Sequence, residues 1–308
     1  MRVNPIITAD TSLKQAQDIR SNGMVGKFLG GLNSTIRKLI FRAIAARPIP
    51  EHIAFILDGN RRFARKHKLS EGGGHKTGFL ALMSVLKYCC EIGVKYVTIY
   101  AFSLDNFNRR PDEVQYVMDL MQDKIEGFLM QDKIEGFLKE LSIINKYGVR
   151  VLFIGDLDRL YEPVRVAAEK AMEATAKNST TYLLVCVAYT SSHEIPRAVY
   201  EACEEKSGAT SIRVMNGING NIGGNYGGVI KVMDVEKHMY MGVAPDPDIL
   251  VRSSGETRLS NFLLWQTTNC LLYSPKALWP EMGFWQVVWG ILEFQNNYNY
   301  LEKKKKQA

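Results

Sequence analysis

The sequence predicts an α/β fold, a mainly parallel central sheet of about six strands flanked by helices. Short apolar runs that end in glycine or polar residues alternate with longer helical patterns. This alternation is typical of β–α–β units, whose helices cover both faces of a sheet. Apolar residues make up 46% of the 308 residues, which is enough to fill a sizeable core. We therefore expect one domain over residues 48–300.

Strands are predicted from short apolar runs, and helices from apolar positions that recur at helical spacing. The predicted strands are 53–57, 96–101, 149–154, 182–188 and 249–251. The predicted helices are 76–92, 112–146, 162–177 and 193–205. The glycines at 72–74 are interpreted as a flexible lead into the first of these helices. The glycine- and asparagine-rich segment 207–228 lacks a dinucleotide-binding spacing and is predicted to be a flexible surface loop.

The segments at the two ends of the domain are basic. Residues 1–23 are predicted to be flexible, and residues 24–47 to form a basic amphipathic helix. Such a helix is typical of peripheral membrane contact, here through residues 25–46, but packing on the domain or on a partner fits the pattern equally well. A plastid or mitochondrial targeting peptide is a third interpretation. No apolar run reaches the length of a membrane span, and the basic tail 301–308 is predicted to be solvated.

The segment 120–137 consists of one nine-residue sequence, LMQDKIEGF, that occurs twice in succession. Nine helical residues advance by about 13.5 Å and turn the face by about 180°. Two copies therefore cannot share one apolar stripe on a straight helix. A kink at Gly127 or Gly136, or a copy that loops out, must absorb the mismatch.

The first predicted strand ends in Asp58-Gly-Asn-Arg-Arg62, at the kind of strand end where ligands bind in open α/β sheets. Gly59 allows close approach to an anion, and Arg61 and Arg62 offer donors suited to phosphate oxygens. Asp58 would repel a phosphate unless a cation lay between them. One carboxylate with substrate phosphates is a common way to hold Mg²⁺. The motif predicts a Mg²⁺–diphosphate site with Asp58 as metal ligand, whereas an exposed turn capped by Asp58 is the structural alternative.

A second cluster of phosphate donors follows the last predicted strand. Arg252 ends that strand, and Gly255 permits a tight turn. Arg258 and Ser260 offer further donors, and Glu256 is placed to orient the arginines by ion pairing. Two phosphate sites at strand ends favour an enzyme that joins two diphosphate substrates. A surface network of arginine and glutamate is the structural alternative.

Three stretches resemble the signature blocks of the cis-prenyltransferases, the cis-polyprenyl diphosphate synthases. They are Asp58-Gly-Asn-Arg-Arg-Phe-Ala64, Tyr100-Ala-Phe-Ser-Leu-Asp-Asn-Phe107 and the block 248–266. The amino-acid sequences of these blocks are most similar to those of plant enzymes of the dehydrodolichyl diphosphate and rubber type. The resemblance implies a Mg²⁺-dependent catalytic domain that adds isopentenyl diphosphate in cis to an allylic diphosphate such as farnesyl diphosphate. It also implies an apolar tunnel, which the apolar helices after His75 and Pro111 would line.

The resemblance assigns roles to single residues. The allylic diphosphate is expected to contact Gly59, Asn60, Arg61, Arg62 and His75, with Phe63 near the prenyl chain. Isopentenyl diphosphate is expected to contact Arg252, Arg258 and Ser260. Substrate positioning is expected to involve Ser103, Asn106, Phe107 and Arg109. Proton removal is assigned to Asn106, but an amide is a poor base, so a relay through diphosphate or water is physically preferable. Shaping the loop is the alternative role for Asn106, and capping a helix is the alternative for His75.

The sequence differs from bacterial members of the family at positions that complete the substrate site in those enzymes. Bacterial members carry an Arg at the position of Glu71 and a metal-side Glu at that of Leu271. Bacterial homodimers end in an Arg-x-Gly element that completes a neighbour's site, whereas here no Arg follows Arg258 and the last Gly is Gly290. In eukaryotic members that element comes from a noncatalytic, Nogo-B-receptor-like subunit. The resemblance thus implies a heteromer. It also implies a location at the cytosolic face of the endoplasmic reticulum.

The charge and the cysteine content of the chain limit which partners and which cellular compartment are expected. The net charge of +7 suits anionic partners such as diphosphates or a membrane surface. The chain lacks a nucleic-acid recognition motif and aromatic–basic interleaving, so no nucleic-acid partner is expected. The five cysteines form no C-x-x-C pair and indicate a reducing compartment. A noncatalytic scaffolding subunit is the alternative function, but it would need neither Asp58 nor the Arg252 cluster.

Overall fold

The computed structural model describes residues 34–70, 72–129, 143–215 and 229–307, which contain one six-stranded parallel sheet. Its strands are β1 His52–Ile56, β2 Tyr96–Ser103, β3 Val149–Ile154, β4 Thr181–Tyr189, β5 Ile249–Arg252 and β6 Leu271–Tyr273. Their order across the sheet is β3-β4-β2-β1-β5-β6, and all neighbours pair in parallel. The predicted α/β fold class is confirmed.

Helices cover the sheet, and the main core lies between them and its strands. They are α1 Ser34–Ile44, α2 Asn60–Lys66, α3 Gly73–Ile92, α4 Pro111–Leu129, α5 Glu162–Ala174, α6 Ser191–Met215, α7 Val232–Glu236 and α8 Phe284–Lys305. Short 3-10 helices lie at Leu104–Asn108, Leu157–Arg159, Tyr240–Val243, Ser253–Gly255 and Trp279–Glu281. Within the described ranges, no helix has both the length and the apolar content to cross a bilayer.

The strand β1 lies inside the sheet and brings the functional segments together. Ile56 pairs with Tyr100 of β2 on one side and with Arg252 of β5 on the other. The segments that follow these three strands therefore leave the sheet side by side at its carboxyl edge. Because the chain turns to opposite sides of β1 to reach β2 and β5, this edge forms the crevice where ligands bind in open α/β sheets.

The structure differs most from the prediction at β6, at the end of α6 and in the basic tail. The strand β6 was not located in the sequence, because it has only three residues and Leu272 at its centre is exposed. The helix α6 continues to Met215 and so includes the first part of the predicted loop 207–228. A helix that is already formed extends at low cost where no proline interrupts it. The helix α8 likewise continues into the basic tail, where the Lys305 ammonium contacts the Asp248 carboxylate at 2.5 Å.

Gly73 and Gly74 form the start of α3 and Gly72 is its N-cap residue, so the predicted flexible lead is wrong. A Cβ atom on Gly74 would lie 2.1 Å from the backbone oxygen of Asn60, and one on Gly78 would lie 2.2 Å from the Asn60 Oδ1 atom. These positions require glycine because α2 and α3 pack in close contact, not because the chain is flexible there.

The helix α1 packs on the domain, one of the arrangements that its sequence pattern allowed. Phe41 and Ile44 are buried, and the Arg37 guanidinium donates two hydrogen bonds to the Glu91 carboxylate, at 2.6 and 2.9 Å. Ile36 and Leu39 remain exposed on its outer face. The described part of the amphipathic helix is thus anchored to α3, with an apolar strip facing outward.

Several predictions lie outside the described residues. They concern the segment 1–33, the residue Glu71, the second copy of the repeat from residue 130 onward and the remainder of the loop at 216–228. The first copy, at 120–128, forms part of α4.

Candidate active site

A cavity of about 710 Å³ lies at the carboxyl edge of the sheet. Its polar wall is formed by Asp58, Asn60, Arg61, His75, Ser103, Asp105, Asn106, Arg109, Lys124, Arg252, Arg258, Ser260 and Asn261. Its apolar wall includes Phe79, Leu82, Ile99, Phe102, Val117, Leu120, Met121, Ile125, Phe153 and Val185. The helices α3 and α4 contribute to the apolar wall, as predicted. The cavity thus combines donors for anions with space for a hydrocarbon chain.

The Asp58 carboxylate joins the two predicted phosphate loops. Its Oδ1 atom accepts a hydrogen bond from Arg62 at 3.0 Å, and its Oδ2 atom accepts one from Arg252 at 2.8 Å. Burial alone would raise the pKa of Asp58, but the hydrogen bonds from Arg252 and Arg62 outweigh burial and hold the pKa below its usual range. Asp58 is therefore an anion at neutral pH, held between two cations.

Arg252 is the most enclosed cation of the site, with 6% of its surface exposed. Its Nη1 atom donates to the Ser260 Oγ atom at 2.7 Å and to the backbone oxygen of Arg258. Its Nε atom is buried and has no hydrogen-bond partner among the described residues. Because buried donors are rarely left unpaired, this N–H group is suited to an anion entering the cavity.

Further contacts connect the two loops. Arg62 donates to the Ser254 Oγ atom at 2.6 Å, and its guanidinium lies 3.6 Å from the Glu256 carboxylate. Glu256 also forms an ion pair with Arg258, as the sequence predicted. The predicted tight turn is present at Gly255, with φ of 69°, and Ser254 before it is also left-handed, with φ of 71°. The two phosphate loops thus form one continuous site.

The first loop is fixed by close packing. Gly59 has φ of 108°, and a Cβ atom there would lie 3.0 Å from the Leu278 side chain. Asn60 donates to the backbone oxygen of Leu57 at 3.2 Å, while its buried Oδ1 atom has no partner within the described structure. Phe63 is buried and packs against the His67 ring at a tilt of 39°, with ring centroids 4.3 Å apart, and it does not line the cavity. Its predicted contact with the prenyl chain stays a prediction.

His75 lies near two arginines at the cavity. Arg109 forms an ion pair with Glu113 at 2.9 Å, and Arg61 approaches the same carboxylate at 3.5 Å. Burial, followed by the positive charges of Arg109 and Arg61, lowers the pKa of His75. His75 is therefore neutral at neutral pH and can donate one hydrogen bond to a phosphate.

The segment after β2 supplies a polar turn to the cavity. The Asn106 Oδ1 atom accepts from the backbone N–H of Ser103 at 3.2 Å, and the Ser103 Oγ atom accepts from the backbone N–H of Asp105 at 3.1 Å. Phe107 packs on Phe102, with ring centroids 5.0 Å apart, and does not line the cavity. Asn106 thus shapes its own turn and also lines the cavity, and its predicted role in substrate positioning and proton removal stays a prediction.

Sequence reasoning missed residues that hold the loops from behind. The Ser253 Oγ atom accepts from the backbone N–H of Asp58 at 2.9 Å and lies 2.7 Å from its backbone oxygen. The indole of Trp279 donates to the backbone oxygen of Gly78 at 2.9 Å, and its ring lines the cavity. Ser253 lies inside a signature block and could have been considered. Trp279 has no neighbouring motif that would have revealed it.

The residues present fit Mg²⁺ only together with a substrate. The described part of the chain contains no group of three or more His, Cys, Asp and Glu side chains able to hold a metal. Leu271 is partly buried against the core and offers no ligand. Asp58 is a single carboxylate, and Mg²⁺ commonly takes one or two carboxylates with substrate phosphates. A diphosphate would have to supply the remaining oxygens.

Comparison with known proteins agrees with this geometry. The family model described as undecaprenyl diphosphate synthase matches residues 56–301. Dehydrodolichyl diphosphate synthase 6 of Arabidopsis thaliana is 53% identical over 293 residues, 92% of this chain and 96% of that protein. The dehydrodolichyl diphosphate synthase complex subunit DHDDS of Homo sapiens is 39% identical over 268 residues, 85% of this chain and 72% of that protein. The crystal structure of lavandulyl diphosphate synthase from Lavandula x intermedia, in complex with dimethylallyl diphosphate, matches with a TM-score of 0.65 at 27% identity, covering 80% of this chain and 95% of that one.

Proposed function

This chain belongs to the cis-prenyltransferase family and is an enzyme that transfers prenyl groups, and we propose that it adds isopentenyl diphosphate units in cis to an allylic diphosphate such as farnesyl diphosphate. The proposed product is a long-chain polyprenyl diphosphate of the dehydrodolichyl type, which would feed the synthesis of dolichol and other polyisoprenoids. The high identity to the Arabidopsis dehydrodolichyl diphosphate synthase supports this product class.

The observation that carries the proposal is the Asp58 carboxylate held between Arg62 and Arg252. This contact joins the two predicted phosphate loops, from which Arg61, Arg252 and Arg258 line the cavity, and so supports the proposal. A reaction between two diphosphates needs both substrates held side by side with their reacting carbons in contact. The apolar wall then receives the hydrocarbon chain.

The proposed chemistry breaks the bond between the allylic carbon and its diphosphate oxygen. The double bond of isopentenyl diphosphate forms the new carbon–carbon bond, and a proton leaves. Positive groups of the first loop, among them Arg61 and Arg62, stabilise the negative charge that develops on the leaving diphosphate. Arg252, Arg258 and Ser260 hold the diphosphate of the second substrate. Mg²⁺, held by Asp58 together with phosphate oxygens, would neutralise further charge on the leaving group.

Proton removal is assigned to the neighbourhood of Asn106. Its amide lines the cavity but is a poor base. The proton is therefore expected to pass to a diphosphate oxygen or to water, with Asn106 positioning the acceptor. A neutral His75 could also accept a proton. It lies in the first loop's half of the site, however, where the leaving diphosphate is expected.

The length of the product is expected to depend on α4. The first copy of the repeat supplies Leu120, Met121 and Ile125 to the apolar wall. We expect removal of residues 129–137, which leaves one copy, to change the distribution of chain lengths, because that segment begins at the last residue of the lining helix. Reversed-phase separation of the dephosphorylated products of both forms would test this. Identical distributions would contradict it.

The proposed assembly is a heteromer with a noncatalytic, Nogo-B-receptor-like subunit. The human relative, 39% identical to this chain, is named as a subunit of a complex, which supports this assembly. Normal elongation by the purified chain alone would refute this part of the proposal.

The proposed location is the cytosolic face of the endoplasmic reticulum, with peripheral contact through residues 25–46. The exposed strip of Ile36 and Leu39 supports such contact. Cell fractionation of the wild type and of a variant with Ile36→Ser and Leu39→Ser would test it. Recovery of both forms in the soluble fraction would argue against membrane contact.

The test of the proposed activity is incorporation of radiolabelled isopentenyl diphosphate into organic-soluble product. Farnesyl diphosphate and Mg²⁺ are supplied, with and without the partner subunit. Incorporation that needs both substrates and yields chains of many units supports the proposal. No incorporation under either condition would refute it.

A further inference from the structure

We propose that a basic pocket between α1, the end of α3 and residues 146–147 binds the phosphate group of an anionic phospholipid. The inference rests on the proposed membrane contact and names the lipid chemistry that this contact recognises. The pocket has a volume of about 670 Å³. It shares none of its lining residues with the cavity of the candidate active site, so it is a separate site.

The wall of the pocket carries several cations and a single acid. The cations are Arg37, Lys38 and Arg42 of α1, Lys87 of α3, and Lys146 shortly before β3. The acid is Glu91, near the end of α3. A concave surface lined mainly by one sign of charge focuses the electric field and concentrates ions of the opposite sign. The pocket therefore attracts an anion.

The acid of the pocket is already paired. Both oxygens of Glu91 accept hydrogen bonds from Arg37, at 2.6 and 2.9 Å, and its Oε1 atom also accepts one from the Tyr147 hydroxyl at 3.1 Å. Burial alone would raise the pKa of Glu91, but these hydrogen bonds and the charge of Arg37 outweigh burial and lower the pKa. The pair of Arg37 and Glu91 thus forms a fixed part of the wall with no net charge.

The remaining cations of the pocket form no ion pair in the described part of the chain. Lys38, Arg42 and Lys87 make neither a hydrogen bond nor an ion pair there. The Lys146 ammonium lies over the Tyr147 ring, 5.7 Å from its centre. Like charges gathered in one pocket repel each other, and a bound phosphate would relieve that repulsion. Because ammonium and guanidinium groups are donors suited to phosphate oxygens, the chemistry of the pocket is that of a phosphate site.

The apolar strip beside the pocket favours a lipid over a soluble phosphate. Ile36 and Leu39, which form this strip, are 50% and 57% exposed. Successive helical residues turn by about 100°, so Lys38 and Arg42 lie between the buried face of α1 and the strip. An apolar strip flanked by basic residues is typical of a helix in a membrane interface, where the cations meet lipid phosphates. A bilayer that receives the strip thus brings headgroups to the mouth of the pocket.

The test measures flotation of the full chain with vesicles of phosphatidylcholine, prepared with and without phosphatidic acid. We expect the wild type to bind the anionic vesicles more tightly. Lys87→Gln combined with Lys146→Gln leaves α1 unchanged and should weaken this binding about thirtyfold, since each basic residue near an anionic surface strengthens binding about fivefold. The control, Lys170→Gln combined with Lys231→Gln, loses the same charge at exposed positions outside the pocket and should match the wild type.

Other outcomes overturn the proposal. Equal losses in both double variants would show attraction by the total charge of the protein, and displacement from the vesicles by excess glycerol 3-phosphate would assign the pocket to a soluble phosphate. If the first double variant does not fold, Lys38→Gln combined with Arg42→Gln has to show the same loss. Equal binding of the wild type to both kinds of vesicle would refute the phosphate site and leave membrane contact intact, whereas binding to neither would refute both. Prenyl transfer in detergent, measured separately, tests the proposed activity and should not change in the pocket variants.

Discussion

Residues 58–62 are fixed mainly by close packing around glycines, whereas residues 252–266 are fixed mainly by hydrogen bonds to residues of α6. In the first loop, Gly59 faces Leu278, and α2 lies directly on the glycines of α3. In the second loop, residues other than glycine adopt positive φ, and hydrogen bonds between Asn261 and Ser192 and between Gln266 and Glu194 hold them there. Both loops present guanidinium groups to one cavity.

This difference shows what each loop tolerates. The first loop depends on the absence of side chains, so added atoms should disrupt it. The second loop depends on specific acceptors, so the loss of a polar atom should loosen it. The contact from Asp58 to Arg62 and Arg252 couples the loops, and its removal should affect both.

The largest effect is expected for Asp58→Ala. The substitution removes the carboxylate that joins the loops and the predicted Mg²⁺ ligand, so turnover should fall by about a thousandfold or more. Diphosphate binding should persist, because the two arginines lose a competing anion. Incorporation of labelled isopentenyl diphosphate measures turnover, and calorimetric titration with pyrophosphate measures binding. Asp158→Asn, at an exposed acid, is the control. Unchanged turnover in Asp58→Ala would contradict the proposed mechanism.

A smaller effect, confined to the first loop, is expected for Gly78→Ala. The new methyl group would lie 2.2 Å from the Asn60 Oδ1 atom and 3.0 Å from Trp279, so α2 must shift. We expect a loss of about 1–3 kcal/mol in the free energy of unfolding and a higher KM for farnesyl diphosphate. Chemical denaturation measures the first quantity and steady-state kinetics the second. Gly283→Ala should change neither, since its methyl group would make only an ordinary contact at 3.7 Å.

The pH dependence of substrate binding should also distinguish the first loop from the second. The pKa of His75 is lowered in the free enzyme, and a bound diphosphate should raise it. Between the two pKa values, binding takes up a proton, so affinity for the allylic substrate should rise as pH falls, by at most about tenfold per pH unit. The segment 252–266 contains no histidine. Isopentenyl diphosphate should therefore lack this contribution, and His75→Gln should remove it from the allylic substrate. Parallel profiles for both substrates in wild type and variant would contradict the assignment.

The smallest effect is expected for Glu256→Gln. Glu256 pairs with Arg62 and Arg258 at the surface, where exposed ion pairs contribute less than about 1 kcal/mol. The melting temperature and both KM values should stay close to those of the wild type. A large loss of activity would show that Glu256 orients the arginines and that the coupling between the loops extends beyond Asp58.

Local patterns in the sequence predicted much of the fold and the position of the site. Asp58 and Arg252 were recognised because each follows an apolar strand and stands beside glycine and arginine residues. The strand β6 was missed because three half-exposed residues carry no periodic signal. The glycines of α3 were misread because a sequence does not show whether a glycine is flexible or tightly packed.

The sequence by itself determined the alternation of strands and helices, the two groups of phosphate donors and the family resemblance, since these depend on residues close together in the chain. Only the tertiary structure decided that the two groups form one site. It also decided that Gly74 and Gly78 support Asn60, and that Glu194 restrains a loop about 70 residues away. These contacts depend on the order of the strands across the sheet, which brings distant residues together and leaves no mark on the local sequence.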